Sequence, residues 1–322
     1  MITVVIPYYQ KESGILARAL ASIEAQQSPG MAVHVLVVDD ASPISAESEL
    51  ENLNPKNHTL QIIRQSNGGP GSARNTGINN APPQTRYIAF LDSDDEWSTD
   101  HLLRAVAAMG AGFDFYFADH YQLGSTIGAF SRAGRIKPID HPKIDIPQEN
   151  IHAYQGDLLD QIIRGNVIGT STVVYDFVRF QDKRFKVEFT NAGEDYLFWM
   201  DIAHSGARTS FSNQSEATYG RGVNIYAGTG WGSEKNLLRI HNEIKYKKLI
   251  CKIFPITPFQ HSHINIDLKN LRLSFGQDLL HRIFHRKKLP YSLLREHFLL
   301  DPSSFLLLPL VLASSLTRRK GY

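Results

Sequence analysis

The feature that most constrains this chain is the alternation, through its first 120 residues, of short β-branched runs with stretches of helical period. Short runs rich in apolar and β-branched residues at Ile2 to Ile6, Val33 to Val38, Leu60 to Arg64 and Tyr87 to Leu91 read as strands, and Ile15, Ala19, Ile23 and Gln26 fall between the first two at helical spacing. Gly71 to Asn79 follows a glycine-rich turn, where a helix starts. Strands that alternate with helices build βαβ units, so the expected fold is α/β, a mostly parallel sheet with flanking helices. In such a sheet ligands bind outside the carboxyl ends of the strands. Each of those ends carries polar chemistry here: Pro7-Tyr8-Tyr9, Asp39-Asp40, Gln65 to Gly71, and Asp92 to Asp95. Independent local oddities have no reason to share one sheet edge unless a site lies there.

The most informative segment is Phe90-Leu91-Asp92-Ser93-Asp94-Asp95, an apolar strand that ends in three carboxylates. Like charges that close repel, and a hard cation such as Mg²⁺ or Mn²⁺ compensates them while keeping positions open for phosphate and water. The alternative is a solvated acidic turn that caps the helix beginning near Thr99. Asn67-Gly68-Gly69-Pro70-Gly71-Ser72-Ala73-Arg74-Asn75-Thr76-Gly77 adds close-approach glycines, a helix start and a fixed cation, which together hold a diphosphate or shape its pocket. A glycine turn with Arg74 and Asn75 bonded locally is the plainer alternative. No Gly-Lys-Ser/Thr and no Gly-x-Gly-x-x-Gly occurs there, which turns the reading away from kinases and dehydrogenases. Glu194-Asp195 opens a further predicted helix, where carboxylates are favoured by the helix dipole whether or not they are catalytic.

In order, VVIPYYQKE, VVDDAS, NGGPGSARNTG, FLDSDDEW and GEDYLFW resemble glycosyltransferase family 2, the inverting family with the GT-A fold, over roughly residues 1 to 205. The resemblance implies that Pro7, Tyr9 and Asp40 contact the uracil and ribose of a UDP-sugar and that Arg74 lies on the donor side. It implies that Asp92 and Asp94 form the Asp-x-Asp motif, with Asp94 the metal ligand and Asp95 its near rival, and that Asp195 of the pair Glu194-Asp195 is the general base. Mg²⁺ or Mn²⁺ is the implied cofactor. A saccharide is the implied acceptor. A weaker likeness to succinoglycan-type exopolysaccharide glucosyltransferases suggests glucose, and the absence of Gln-x-x-Arg-Trp suggests single addition. Gly220 to Gly232, rich in glycine with two aromatics, is expected to be a lid or else a linker. His120 is a candidate acceptor neighbour.

Two rivals weaken on inspection. A sugar nucleotidyltransferase would begin with a glycine-rich loop at the first strand, and Val4 to Ser13 holds none. A non-catalytic nucleotide-sugar-binding module would have no need of Asp92, Asp94 and Asp195 together.

Charge divides the chain. Residues 1–232 carry 18 Lys and Arg against 26 Asp and Glu, and residues 233–322 carry 16 against 6. The first part is expected to be the GT-A catalytic domain, the second a basic helical extension suited to an anionic partner. Within it Phe305 to Leu316 is apolar but broken by Pro309, too short for the roughly 20 residues of a spanning helix, and flanked by Arg286-Lys287-Lys288 and Arg318-Arg319-Lys320. It either packs on the protein or docks on an anionic membrane, and the charge balance favours docking. A lone cysteine, Cys251, excludes an internal disulfide, and no signal-peptide pattern precedes Ile2. A cytoplasmic protein, peripheral at the inner face of the cell membrane and acting on a lipid-linked saccharide, is expected, with no nucleic-acid partner.

Overall fold

The structure, a computed structural model, describes residues 1–50, 55–122, 124–189, 193–221, 232–233 and 235–319, with side chains to residue 313. The strands are β1 (Ile2–Tyr8), β2 (Val33–Asp39), β3 (Thr59–Arg64), β4 (Tyr87–Phe90), β5 (Glu96–Trp97), β6 (Phe115–Tyr121), β7 (Ile151–Ala153), β8 (Val174–Asp176) and β9 (Thr209–Thr218). The helices are α1 (Ile15–Glu24), α2 (Ala46–Leu50), α3 (Pro70–Asn79), α4 (His101–Gly110), α5 (Ala129–Ala133), α6 (Leu158–Arg164), α7 (Glu194–His204), α8 (Asn236–Ile253), α9 (Pro258–Phe284), α10 (Tyr291–Leu300), α11 (Ser303–Leu306) and α12 (Leu308–Arg319). They fall into two compact units. Described residues up to 221 form the first, apart from Gly193, and those from 232 on form the second.

One sheet runs through the first unit in the order β3-β2-β1-β4-β8-β6-β9-β5, with β7 paired to β9. The parallel pattern expected from the sequence describes β3-β2-β1-β4. Beyond β4 the sheet is mixed: β8 is antiparallel to both β4 and β6, and β6 is parallel to β9. Strands buried on both faces read as continuous apolar runs, which is why β1, β2 and β4 are so apolar. On one face Ile2, Val4 and Ile6 join Leu16, Leu20, Leu102 and Ala105 from α1 and α4. On the other Phe90 packs against Phe185, Phe198 and Trp199, with ring centroids 5.3 to 6.1 Å away.

Two elements depart from the regular pattern of the parallel strands. Thr170 to Tyr175 divides into a 3₁₀ turn at Thr170–Thr172 and the strand β8, because Thr172 bonds back to the Gly169 carbonyl through both its N–H (2.9 Å) and its hydroxyl (2.8 Å). β9 has no apolar alternation to announce it. Several of its buried positions are polar, and Glu216 among them is paired: it accepts from Arg104 Nε (2.6 Å) and Tyr116 Oη (2.8 Å) and meets His101 Nδ1 (2.9 Å), all buried.

Candidate active site

The carboxyl ends of β1, β2 and β4 lie side by side. Register sets Pro7 opposite Val38 and Tyr8 opposite Asp39, so Pro7, Tyr9 and Asp40 leave the sheet together, Pro7 and Tyr9 partly exposed. β4 then runs through Leu91 into the acidic turn, whose middle is pinned where Gln10 Nε2 donates to Ser93 Oγ at 3.0 Å.

The three aspartates of that turn are not equivalent. Asp92 and Asp94 are half-buried, whereas Asp95 is buried and both its oxygens are engaged, accepting from Ser171 Oγ at 2.5 Å and the Gly220 N–H at 2.9 Å. Ser171 Oγ also accepts the Asp92 N–H at 3.0 Å, so one hydroxyl ties the turn to the 3₁₀ segment. Burial, then the charges of Asp92 and Asp94, hold the Asp95 carboxyl well above the usual carboxylate range. These bonds make the Asp95 side chain a strut between the acidic turn, the 3₁₀ segment and Gly220. Gly220 is needed at the same contact, because a Cβ there would lie 1.5 Å from the Asp94 carbonyl oxygen.

Arg74 joins the segments. Its Nη2 donates to Asp92 Oδ1 at 2.6 Å, its Nη1 lies 3.6 Å from Glu194 Oε1, and the guanidinium stands 5.4 Å over the Phe185 ring. Asn75 holds that ring in place through two bonds to the Phe185 backbone, at 2.8 and 2.9 Å. Burial opposes the Arg74 charge, but Asp92 and Glu194 more than offset it. Its Nε and Nη1 are buried without a hydrogen-bond acceptor. Leaving such donors unsatisfied costs about 1–3 kcal/mol each, a cost that an anionic ligand oxygen removes.

Glu194 and Asp195 occupy the first turn of α7. Burial, then the neighbouring Asp195, pushes Glu194 up to about 7 against the pull of Arg74. Burial also raises Asp195, with Arg74 opposing. The Asp195 carboxylate accepts from the Tyr196 N–H at 2.9 Å and from Thr170 Oγ1 at 3.4 Å.

The glycine-rich turn builds the wall of the site. The N–H groups of Gly68 and Gly69 are both bound by the Asp40 carboxylate at 2.8 Å, and Gln65 Nε2 donates to the same group at 2.7 Å. Asp40 thus holds the turn, and those amides are not a diphosphate cradle. Gly77 lets α3 lie flush on β1, since a Cβ there would sit 2.3 Å from Val5 Cγ1.

Sequence reasoning missed Ser171 and Tyr219, and gave Gly220 only as the start of a lid or linker. Burial, then the charges of Asp95, Asp92 and Asp195, raise the Tyr219 phenol well above its ordinary value, which places it electrostatically within the cluster. It stacks on His120 at 4.5 Å, over Gly169, where a Cβ would meet both rings. Burial lowers His120 to about 4, so the imidazole is neutral at pH 7. The only cue to Tyr219 was its position just before the glycine-rich loop. Of that loop, residues 222–231 lie outside the described residues, and the lid expectation with them.

Among the described residues no three His, Cys, Asp or Glu side chains gather into a metal cage. The half-buried Asp92 and Asp94 are hard oxygen donors, a set that fits an ion which takes one or two protein carboxylates and completes its shell with phosphate and water.

A mixed sheet with these groups along its carboxyl edge defines a glycosyltransferase of the GT-A class. The model of glycosyl transferase family 2 matches residues 3–174, and the chain belongs to that family. It is 38% identical over 230 residues, 70% of each chain, to the succinoglycan biosynthesis protein ExoW of Rhizobium meliloti (strain 1021). Among solved structures it resembles S. aureus TarS 1-349 in complex with UDP-GlcNAc, with a TM-score of 0.56 at 20% identity over 87% of this chain and 72% of that one. It also resembles the mannosyltransferase PcManGT from Pyrobaculum calidifontis in complex with GDP-Man and Mn²⁺, with a TM-score of 0.57 at 16% identity over 99% and 87%. These two likenesses concern the fold.

Proposed function

We propose that this glycosyltransferase moves a sugar, glucose by the resemblance of its sequence to succinoglycan-type glucosyltransferases, from a UDP donor to a saccharide carried on a lipid diphosphate. The transfer inverts the anomeric centre and serves synthesis of a bacterial surface or exopolysaccharide at the inner face of the cell membrane. The observation that carries this reading is Arg74, buried between Asp92 and Glu194 with two nitrogens lacking acceptors. It is built to receive an anion beside a potential base.

In the proposed reaction Pro7, Tyr9 and the turn held by Asp40 flank the nucleoside, and the Arg74 guanidinium faces the diphosphate. Asp195 takes the acceptor hydroxyl proton as the new glycosidic bond forms and the bond to the diphosphate breaks. Mg²⁺ or Mn²⁺, held by Asp94 with Asp92 close by, supplies charge stabilisation to the leaving diphosphate when bound. Asp95 keeps the turn in register through Ser171 and Gly220.

A thermal-shift screen of UDP, GDP and dTDP sugars with Mn²⁺ tests the donor class. A ligand at a hundred times its Kd stabilises the native state by about 2.7 kcal/mol, enough to raise Tm by several degrees. UDP-glucose is expected to give the largest shift. A larger shift with a GDP or dTDP sugar overturns the donor assignment.

A further inference from the structure

One corner of the second unit is built inside out. Where α10 gives way to α11, His297, Asp301 and Ser304 are buried. Asp301 accepts two bonds from Arg272 at 2.8 Å and one from Lys248 at 3.2 Å; Ser304 Oγ donates to Asp301 at 2.8 Å and meets His297 Nε2 at 3.0 Å. Several apolar residues of the same corner face outward: Phe298, Leu299, Leu306 and Leu310 are 55, 76, 78 and 64% exposed. Isolated exposed leucines need no explanation, but water favours the reverse of this whole arrangement.

The exposed residues form a pattern. Tyr291, Arg295 and Leu299, four residues apart, with Phe298 beside them, make one outward stripe along α10. The Phe298 ring meets Phe305 at 5.5 Å, which joins that stripe to α11, and Leu306 and Leu310 again stand four apart. α12 is packed by its other face, with Val311 buried against Gly276 of α9. The segment for which the sequence left packing and docking open therefore has one packed face and one exposed face. Tyr291–Leu300 and Ser303–Ala313 meet at 101°, and no single helix among the described residues is long and apolar enough to cross a membrane. Exposed Arg286, Lys287 and Lys288 precede the stripe, in a stretch from residue 233 that holds 16 basic against 6 acidic side chains.

We infer that this corner docks on an anionic lipid bilayer, its apolar tips among the acyl chains just below the headgroups and its basic residues on the headgroups. The inference extends the reading of a lipid-carried acceptor, and it names the surface through which the protein reaches that acceptor. Apolar insertion and headgroup attraction each supply part of the hold. The buried Asp301 network fixes the corner beforehand, so docking orders little that was free.

The test is co-sedimentation of the full chain with vesicles of phosphatidylglycerol and phosphatidylcholine in equal parts, and with phosphatidylcholine alone. The wild type is expected to pellet with the anionic vesicles, and less so in high salt. Leu299→Asp with Leu306→Asp lowers the partition coefficient at least about tenfold. Arg286→Ala, Lys287→Ala and Lys288→Ala together lower it by on the order of a hundredfold at low salt, about fivefold per basic residue. Because the substituted side chains are exposed, melting curves stay at the wild-type position and report the fold. Release of UDP with a soluble acceptor is followed in parallel. Vesicle binding without transfer sinks the enzymatic reading and leaves the surface; transfer without vesicle binding sinks the surface alone. The inference is also overturned if the leucine variant partitions like wild type, or if the corner instead pairs two copies of the chain, seen as a dimer that the leucine variant splits.

Discussion

Asp195→Asn lowers kcat by about a hundredfold or more and leaves donor KM within a few fold, because the amide keeps the shape of the side chain and removes its basicity. The Tyr196 N–H donates to one Asp195 oxygen and Thr170 Oγ1 to the other; the amide keeps one oxygen for the first bond, and its NH2 can donate to the Thr170 hydroxyl in place of the second. A base must be ionised to act. Burial raises the Asp195 carboxyl, so wild-type kcat declines on acidification at a pH above the ordinary aspartate range, and this limb vanishes in the variant. Steady-state UDP release across pH measures both effects. A variant with near-normal kcat would move the base to Glu194, its buried neighbour.

Glu216→Ala destabilises the first unit by about 3–5 kcal/mol, the cost of leaving a buried charge without its partner. The Glu216 carboxylate is buried and meets Arg104 Nε at 2.6 Å, His101 Nδ1 at 2.9 Å and Tyr116 Oη at 2.8 Å. Its loss leaves the Arg104 guanidinium with the Glu149 carbonyl at 2.5 Å, the Ser212 hydroxyl at 3.1 Å and the half-buried Asp100 carboxylate at 3.5 Å. A domain stable by about 5–15 kcal/mol loses a large share of its margin. Glu216 lies near the end of β9, and Tyr219 and Gly220 follow it into the active site. Activity therefore fails at a lower temperature as well. Urea denaturation measures the effect, and a loss below about 1 kcal/mol would show that the network is not needed for stability.

How far the sequence reveals this molecule depends on whether a residue's surroundings are local. β1, β2 and β4 were legible because burial on both faces demands unbroken apolar runs. β9 was not, because Ser210, Ser212 and Glu216 are buried in it. The burial of Ser212 and Glu216 is made possible by Arg104, more than a hundred residues away in the chain. The site follows the same rule. Carboxylates at a strand end are visible in the sequence, but that Gly68 and Gly69 bring N–H groups to Asp40, and Ser171 and Gly220 an O–H and an N–H to Asp95, is visible only in the fold. Ser171 and Tyr219 carry no signal of their own, since their place is created by the approach of the 3₁₀ turn and β9 to the acidic strand end.

The central claim is that the carboxylate edge is a metal-assisted donor site with Asp94 at its centre. UDP release by wild-type protein and by Asp94→Ala, with a saccharide acceptor, in Mn²⁺ and in EDTA, tests it most directly. The account predicts acceptor-dependent turnover in Mn²⁺, its loss in EDTA, recovery when Mn²⁺ or Mg²⁺ is returned, and a folded Asp94→Ala protein that has lost most turnover with either ion. Equal wild-type turnover in EDTA, or an Asp94→Ala protein as active as wild type, would contradict it.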